Sequence, residues 1–516
     1  MFGSGKIAVD FGSTNTVVAV AGPEGVRILH LPGLGREQPS AHSALIPTAV
    51  HYPASPRPNA WLPWQRIRPQ IGQQALHRNF DGCSPGFAQG LKRALADRPH
   101  QQATRCGETP ISAHRATEDF LREILKSIRR HDRIWRIADL TIPTPVGFYE
   151  TYRAELQQIG RRLGIRHLRS LDEPVAAALG YGVRLEREKT LVVVDFGGGT
   201  LDLAAVRLSP QTTETGAAPV LAKHMAAVGG DDVDTWLAEY LGLDLTDLPL
   251  WHNDARWEMM RLKEHVSRHG HGELSWRGIR RSLCVEELEQ LLAKRGLYDC
   301  LRLACQDIQK QLDGVQIDEV VLVGGSTLLP GIAAEIDQAF PSSVVRHDPE
   351  TLFTAVAVGA ALFAGGVPLD DFVYHDYCLA VQNPETQSVE YELLVPQRTR
   401  YPVQDMAVRY YADYHGMHEI QFKICEAGRL GQVSVPWQAR PNGAQYWAPQ
   451  NASELARVLP INAADEPIRL RPRGQGTSPR LRVTYSINAD RWLCTSVDDL
   501  VADQRLRTNA PVARLR

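Results

Sequence analysis

No two of the eight cysteines form a Cys-x-x-Cys pair: Cys83, Cys106, Cys284, Cys300, Cys305, Cys378, Cys425 and Cys494 are scattered singly. That spacing suggests neither a zinc site nor a disulfide framework, so reduced, mostly packed thiols are expected. Neither sign of charge is in excess. Lys plus Arg number 57 against 59 Asp plus Glu, a net charge of -2, which gives no bulk electrostatic reason to expect nucleic acid or an anionic membrane as partner. Long apolar runs are missing as well. The longest, Phe353 to Val367, is rich in Ala and Gly and interrupted by Thr354, too short and small-sided to span a bilayer, and it reads as a buried helix. Lys6 and Asp10 leave no room for the apolar stretch of a secretory leader, so a cytoplasmic location is expected. Gly-x-x-x-x-Gly-Lys-Ser/Thr and Gly-x-Gly-x-x-Gly are absent, which disfavours P-loop and Rossmann chemistry.

What is present fits a large globular chain. At roughly 150 residues per domain, 516 residues imply about three or four compact units. With 43% apolar and 22% charged residues, whole-chain disorder is excluded. The most informative feature is an internal repeat. Ile7-Ala-Val-Asp-Phe-Gly-Ser-Thr-Asn-Thr-Val-Val-Ala-Val20 returns as Val192-Val-Val-Asp-Phe-Gly-Gly-Gly-Thr-Leu-Asp-Leu-Ala-Ala-Val206, and both copies contain Val-Asp-Phe-Gly. Each is an apolar β-rich run, an Asp, a Gly-containing turn and a second β-rich run, the signature of a hairpin. A duplicated α/β half is implied. Thr117 can cap a helix with Phe120, Leu121, Ile124, Leu125 and Ile128 on one face. Tyr149, Tyr152, Leu156, Ile159 and Leu163 repeat at helical steps, and Gly164 suits the end of that helix. A further helix is expected over 232–241, and a buried strand over 321–325. Beyond about Asp370 the pattern becomes short alternating runs, clearest at Leu481, Val483, Tyr485 and Ile487 and repeated at Val389–Val395, Met406–Tyr410 and Ile420–Ile424, so a β-rich module is expected there.

A phosphate-binding turn brings several backbone N–H groups to one point, which only residues without bulky side chains permit. Gly12-Ser13-Thr14-Asn15 and Gly197-Gly198-Gly199-Thr200 both qualify, so two opposed hairpins would hold the phosphates. Asp10 and Asp195 stand at equivalent strand ends. Were they to converge to ~4 Å, the repulsion of about 4 kcal/mol at an effective dielectric near 20 would favour a cation between them or a wider, water-filled separation. Hydrated magnesium suits such a place.

These residues resemble those of the seventy-kilodalton heat-shock chaperones of the actin-like ATPase superfamily. Asp10-Phe-Gly-Ser-Thr-Asn15 resembles the first phosphate loop, Ile46-Pro-Thr48 and Ile71-Gly-Gln-Gln-Ala75 landmarks of the small outer lobe, and Gly90-Leu-Lys-Arg93 the segment with the catalytic lysine. Asp172-Glu-Pro-Val-Ala-Ala-Ala178 resembles the connecting helix, Asp195-Phe-Gly-Gly-Gly-Thr-Leu-Asp202 the second phosphate loop, and Val323-Gly-Gly-Ser-Thr327 the adenosine loop. The match is dense from residue 6 to about 366. Asp371-Phe-Val-Tyr-His-Asp-Tyr377 and the β-module are similar, more loosely, to a short divergent branch of chaperone-like proteins seen in cyanobacteria.

The resemblance implies an α/β fold: a duplicated actin-like (ribonuclease H-like) ATPase domain over 1–366, a linker over 367–375, and a mainly β substrate-binding-like domain over 376–516 without a helical lid. It implies ATP/ADP and Mg2+ as cofactors, with K+ beside Asp202. Asp10, Asp195 and Asp202 would be the metal carboxylates, and Lys92, Glu173, Asp195 and Thr200 the catalytic set. Gly12, Ser13, Thr14, Asn15, Gly197, Gly198, Gly199, Gly229, Gly230, Lys263, Ser267, Gly324, Gly325 and Ser326 would bind the nucleotide, and Pro143 would relay its state. Partners would be unfolded or extended polypeptides with J-domain and nucleotide-exchange helpers. Departures are plain: Leu328 stands where an adenine-stacking Arg is usual, and Met260 and Glu264 replace a Glu and an Arg. Two other readings stay open, a nucleotide-sensing scaffold with little turnover and a small-molecule kinase of the same superfold. His265, His269 and His271 form the densest histidine group, read as a polar helix end rather than a metal site. Arg469, Arg471, Arg473, Arg480 and Arg482 read as a solvated loop, not a nucleic-acid patch.

Overall fold

The computed structural model describes residues 6–515 apart from 38–42, 54–68, 80–83, 133, 135–136, 147–149, 183–185, 210–217, 244–253, 277, 349–350, 368, 383–387, 414, 428–434, 441–443, 450–451, 456–457, 463–466 and 477. Cys83 and Tyr149, singled out above, and position 368 of the segment read as linker lie outside the described residues. The chain divides into two compact units, Met1–Leu369 and Asp370–Arg516.

The first unit is built on two sheets of one strand order. Lys6–Phe11 pairs antiparallel with Asn15–Gly22, which pairs with Gly25–Ile28; on its other side Lys6–Phe11 runs parallel to Asp139–Thr141, followed by His167–Arg169. In the second sheet Lys189–Phe196 pairs antiparallel with Leu201–Leu208 and that strand with Ala218–Ala226, while Glu319–Val323 and then Val344–Arg346 lie parallel on the far side. Ile7, Ala8 and Val9, and Val192, Val193 and Val194, are buried in succession, so both faces are covered and the strands read as continuous apolar runs rather than alternating ones.

Two helices between the sheets cross through their glycines. Ala355–Gly365, the apolar run noted above, rests on the first hairpin, and Glu173–Gly182 on the second. A β-carbon on Gly359 would lie 1.7 Å from Ala176 O, and one on Gly180 2.0 Å from Ala355 O, so the backbones touch where neither position has room for a side chain. The helix expected to start at Thr117 begins a turn earlier. It spans Ala113–His131, and Ser112 Oγ accepts from Arg115 N at 3.2 Å. Ala113 and Ala116 are buried too, so the packed face reaches back to Ser112 and Thr117 becomes an interior, buried residue. The helix with Tyr152, Leu156 and Ile159 runs Glu150–Arg162, with Gly164 at φ 78° beyond it. Glu319–Val323 is the strand expected near Gly325, and Gly325–Leu328 forms a 3-10 turn.

In the second unit, Asp371 and Phe372 pair with Tyr401 and Arg400, and Tyr401 Oη donates to the buried Asp371 at 2.6 Å. Residues Leu369–Phe372, within the segment read as linker, are therefore strand. A sheet holding Val389–Val395, Asp376–Gln382 and Ile424–Ala427 shares a core with a four-stranded sheet of Val403–Ala412, Pro479–Ile487, Trp492–Asp499 and Gln504–Arg514. Leu481, Val483, Tyr485 and Ile487 all face that core, as their alternation requires. The run Ile420–Ile424 is not one strand: Ile420 pairs with Ile468 and Ile424 with Leu379, in different sheets. Nor is Arg480 a solvated loop residue. It is fully buried, and its guanidinium donates to Asp499 at 3.0 Å and Asp413 at 3.3 Å, while Arg482 pairs with Asp498.

Candidate functional site

The repeated Val-Asp-Phe-Gly segments place their turns face to face. A β-carbon on Gly198 would lie 3.1 Å from Ser13 Cβ and Thr14 Oγ1, and one on Gly199 3.2 Å from Ser13 Oγ. Both turns open into one cleft. Its lining includes Asp10, Gly12–Asn15, Lys92, Glu173, Asp195, Gly197–Thr200, Gly230, Lys263, Ser267 and Gly324–Ser326. Of the residues assigned from sequence, Gly229 and Asp202 do not line it. Gly229 packs behind the second turn, where a β-carbon would be 2.2 Å from Gly198 O, and Asp202 sits opposite Asp195 in the hairpin register.

Each wall follows from local structure. Thr48 N donates to Thr14 O at 2.8 Å, so the Ile46–Thr48 segment braces the first turn. The second turn is braced by the helix Gly230–Tyr240: Gly230 N donates to Gly197 O at 3.1 Å and Asp231 N to Gly198 O at 2.8 Å. Asp232 caps the same helix by accepting from Gly229 N at 2.9 Å. Lys263, on the helix Asp254–His269, donates to Gly230 O at 2.7 Å and pairs with Asp234 at 2.7 Å. Ser326 Oγ donates to Gly197 O at 2.7 Å, tying the third glycine loop to the second turn.

The floor is a cluster of buried charge. Lys92, carried by the short helix Leu91–Asp97 whose Leu91 and Leu95 anchor it in the core, donates to Glu173 at the start of its helix. Burial pulls the Lys92 ammonium down, but Glu173, Tyr152 and Asp10 outweigh it and hold the group charged. Burial and then Glu173 push the Asp195 carboxyl up to about 7 against the pull of Lys92, and burial, Glu173 and Asp195 raise Asp10 well above the ordinary range. Asp202 is raised by burial and Glu173, while one of its oxygens accepts from Val146 N at 2.8 Å. The Pro143 segment is woven into this floor, since Glu173 N donates to Thr144 O at 2.9 Å.

Among the described residues no three His, Cys, Asp or Glu side chains are arranged to enclose a metal ion directly. The donor set fits a hydrated divalent cation instead. Asp10 and Asp195 are hard carboxylate oxygens beside the phosphate turns, the charge of Asp195 helps to raise Asp10, and a cation held through its waters removes that repulsion. The histidine group carries no such feature: the His265 and His269 rings stack at 4.3 Å between centroids.

At the other end the cleft is walled by Leu328, Met260 and Glu264, the three departures noted in the sequence. Several lining residues were not read from the sequence. Asp234 had a signal, standing three residues after Asp231 on one helix; Arg36 and Arg268 had none, being single arginines outside any pattern. Burial and then Asp234 push the Asp231 carboxyl up to about 6.

A glycine-turn cleft with a paired lysine and clustered carboxylates offers donors suited to a polyanionic ligand and oxygens suited to a cation. The chain matches the family model described as Hsp70 protein over residues 6–392, and it belongs to the Hsp70 family. A chaperone protein HscA homolog of Actinobacillus pleuropneumoniae is 28% identical over 427 residues, 77% of this chain and 64% of that protein. One from Vibrio cholerae is 32% identical over 281 residues, 52% of this chain and 44% of that protein. The chaperone protein HscA of Yersinia enterocolitica is 32% identical over 427 residues, again 77% and 64%. The chain thus spans less than two thirds of the length of these relatives. Among the described residues, no helix is long and apolar enough to cross a membrane.

Proposed function

We propose that this chain is a magnesium-dependent ATPase of the chaperone type, binding ATP or ADP in the cleft and coupling its state to an extended polypeptide held by the β-rich unit. The observation that carries the reading is the pair of opposed glycine turns with the Lys92–Glu173 pair at their base. The common strand order of the two sheets supports a duplicated actin-like domain over 1–366, with the β domain over 376–516. The relatives' printed name, chaperone protein HscA, supports the chaperone role, and a cytoplasmic location goes with it.

In this reading the N–H groups of Gly12–Asn15 and Gly197–Thr200 surround the phosphate chain from two sides, and Gly230 approaches at its helix start. Lys92, kept charged by Glu173, orients the attacking water and offsets charge on the terminal phosphate; Thr200 lies beside that phosphate. Lys263, Ser267 and Gly324–Ser326 hold the nucleoside. Asp10 and Asp195 hold magnesium through water, with Asp202 behind them. When bound, magnesium neutralises phosphate charge in the transition state. Pro143, linked through Thr144 to Glu173, sits where a change at the phosphates reaches the rest of the unit.

The test is ATP hydrolysis by the full chain with and without magnesium, in the wild type, Lys92→Ala and Asp195→Asn. Loss of most turnover in both folded variants is expected; unchanged turnover in both would sink the assignment. A second reading, a nucleotide-sensing scaffold with little turnover, draws on Leu328, Met260 and Glu264 at the nucleoside end. Tight ATP binding with negligible phosphate release, indifferent to added unfolded peptide, would select it.

A further inference from the structure

Arg36 belongs to none of the glycine turns, yet it enters the cleft from the side of the first sheet. Its backbone is fixed, with Arg36 N donating to Leu45 O at 2.9 Å. The preceding Gly35 packs so closely that a β-carbon would lie 1.9 Å from Ser43 O. Its side chain is aimed as well: Nε donates at 3.0 Å to Oδ1 of Asn15, the residue that closes the first phosphate turn.

A guanidinium presents five N–H donors in a rigid fork. Among the described residues the bond to Asn15 is the one side-chain hydrogen bond this half-buried group makes, so four donors remain unused. Across the cleft the helix Asp254–His269 presents Glu264, which attracts the guanidinium, and Arg268, which repels it. Glu264 and Arg268 act on Arg36 in opposite senses, and the guanidinium keeps spare donors. On the opposite surface Leu328 offers only apolar contact.

We propose that Arg36 is a nucleotide-binding residue, its free N–H donors gripping acceptor atoms of the bound nucleotide. This deepens, and rests on, the reading that ATP or ADP occupies the cleft. Because Asn15 aims Arg36 and Glu264 faces it from the other half, one side chain senses the phosphate turn and the nucleoside wall together.

The test is calorimetric titration of the full chain with magnesium and ATP or ADP, for wild type, Arg36→Ala and Arg36→Lys, with thermal melts alongside. Hydrogen bonds to charged groups imply that Arg36→Ala weakens binding about tenfold or more. Arg36→Lys, which keeps the charge but not the fork, falls between. Should Arg36→Ala not fold, Arg36→Lys decides: an affinity equal to wild type overturns the proposal and a severalfold loss supports it. Wild-type binding with folded Arg36→Ala within twofold of it overturns the proposal alone. No binding of either nucleotide by the wild type brings down the reading of the cleft, and this proposal with it.

Discussion

Replacing Gly229 with alanine tests the architecture without touching a reacting group. The new β-carbon would lie 2.2 Å from Gly198 O, 2.4 Å from Gly198 C and 2.5 Å from Gly199 N. Non-bonded heavy atoms settle at roughly 3.5–4 Å, so the helix start and the second turn must separate by about 1 Å. All three clashing atoms are backbone, and no rotamer relieves them. The turn is pinned to the helix by Gly230 N to Gly197 O and Asp231 N to Gly198 O, so the retreat strains both bonds. Overpacking of this kind costs about 1–3 kcal/mol of stability. A misplacement of about 1 Å at a reacting phosphate costs about a hundredfold in rate. The assay is single-turnover ATP hydrolysis at saturating magnesium and nucleotide, with a circular-dichroism melt on the same sample. A near-normal spectrum, a modestly lowered melting temperature and a rate down about a hundredfold are expected. A Gly229→Ala protein with wild-type rate and melting temperature would refute the claim that this close approach shapes the site.

Two other perturbations probe buried charge. Lys223 Nζ donates to Asp172 at 2.7 Å with both side chains essentially inaccessible, and Arg153 lies 3.6 Å from the same carboxylate. Lys223→Met therefore costs about 3–5 kcal/mol, read as a lower urea midpoint, and adding Asp172→Asn recovers part of it; an unchanged midpoint in Lys223→Met contradicts this. The raised pKa of Asp195, about 7, means that the unfolded chain gives up this proton first as pH rises. The contribution is fully present below the ordinary carboxylate range and is lost as pH climbs to about 7. Without metal, Asp195→Asn should melt higher than wild type at pH 8 and lose that advantage toward pH 4; an advantage that grows on acidification would refute the assignment.

The hairpins were legible because each needs an apolar strand, an acid and a glycine turn in sequence order, and the chain writes that pattern twice around Asp10 and Asp195. Gly229 and Gly230 were named only through the family resemblance, as nucleotide-binding positions; Gly230 lines the cleft and Gly229 does not. Pairs made across the fold were not. Nothing near Lys223 marks it as the partner of Asp172, fifty-one residues away, and the stretch Leu34-Gly35-Arg36 has no period that points into a cleft. The cap at Ser112 was missed because Ala113 and Ala116, small enough for either face, hid the true start of the buried stripe. Ile420–Ile424 looked like one strand because alternation alone does not say which sheet takes each half. Arg480 looked like part of a solvated basic turn because its acids lie elsewhere in the chain, Asp499 at the end of the strand Trp492–Asp499 and Asp413 just past the strand Val403–Ala412.

The most direct measurement is a crystal structure of the full chain with magnesium and a non-hydrolysable ATP analogue. The account predicts the triphosphate between Gly12–Asn15 and Gly197–Thr200, its cation on the side of Asp10 and Asp195, and Lys92 turned toward the terminal phosphate. An analogue bound elsewhere at saturation, or one whose phosphates lie outside the two turns, would contradict it.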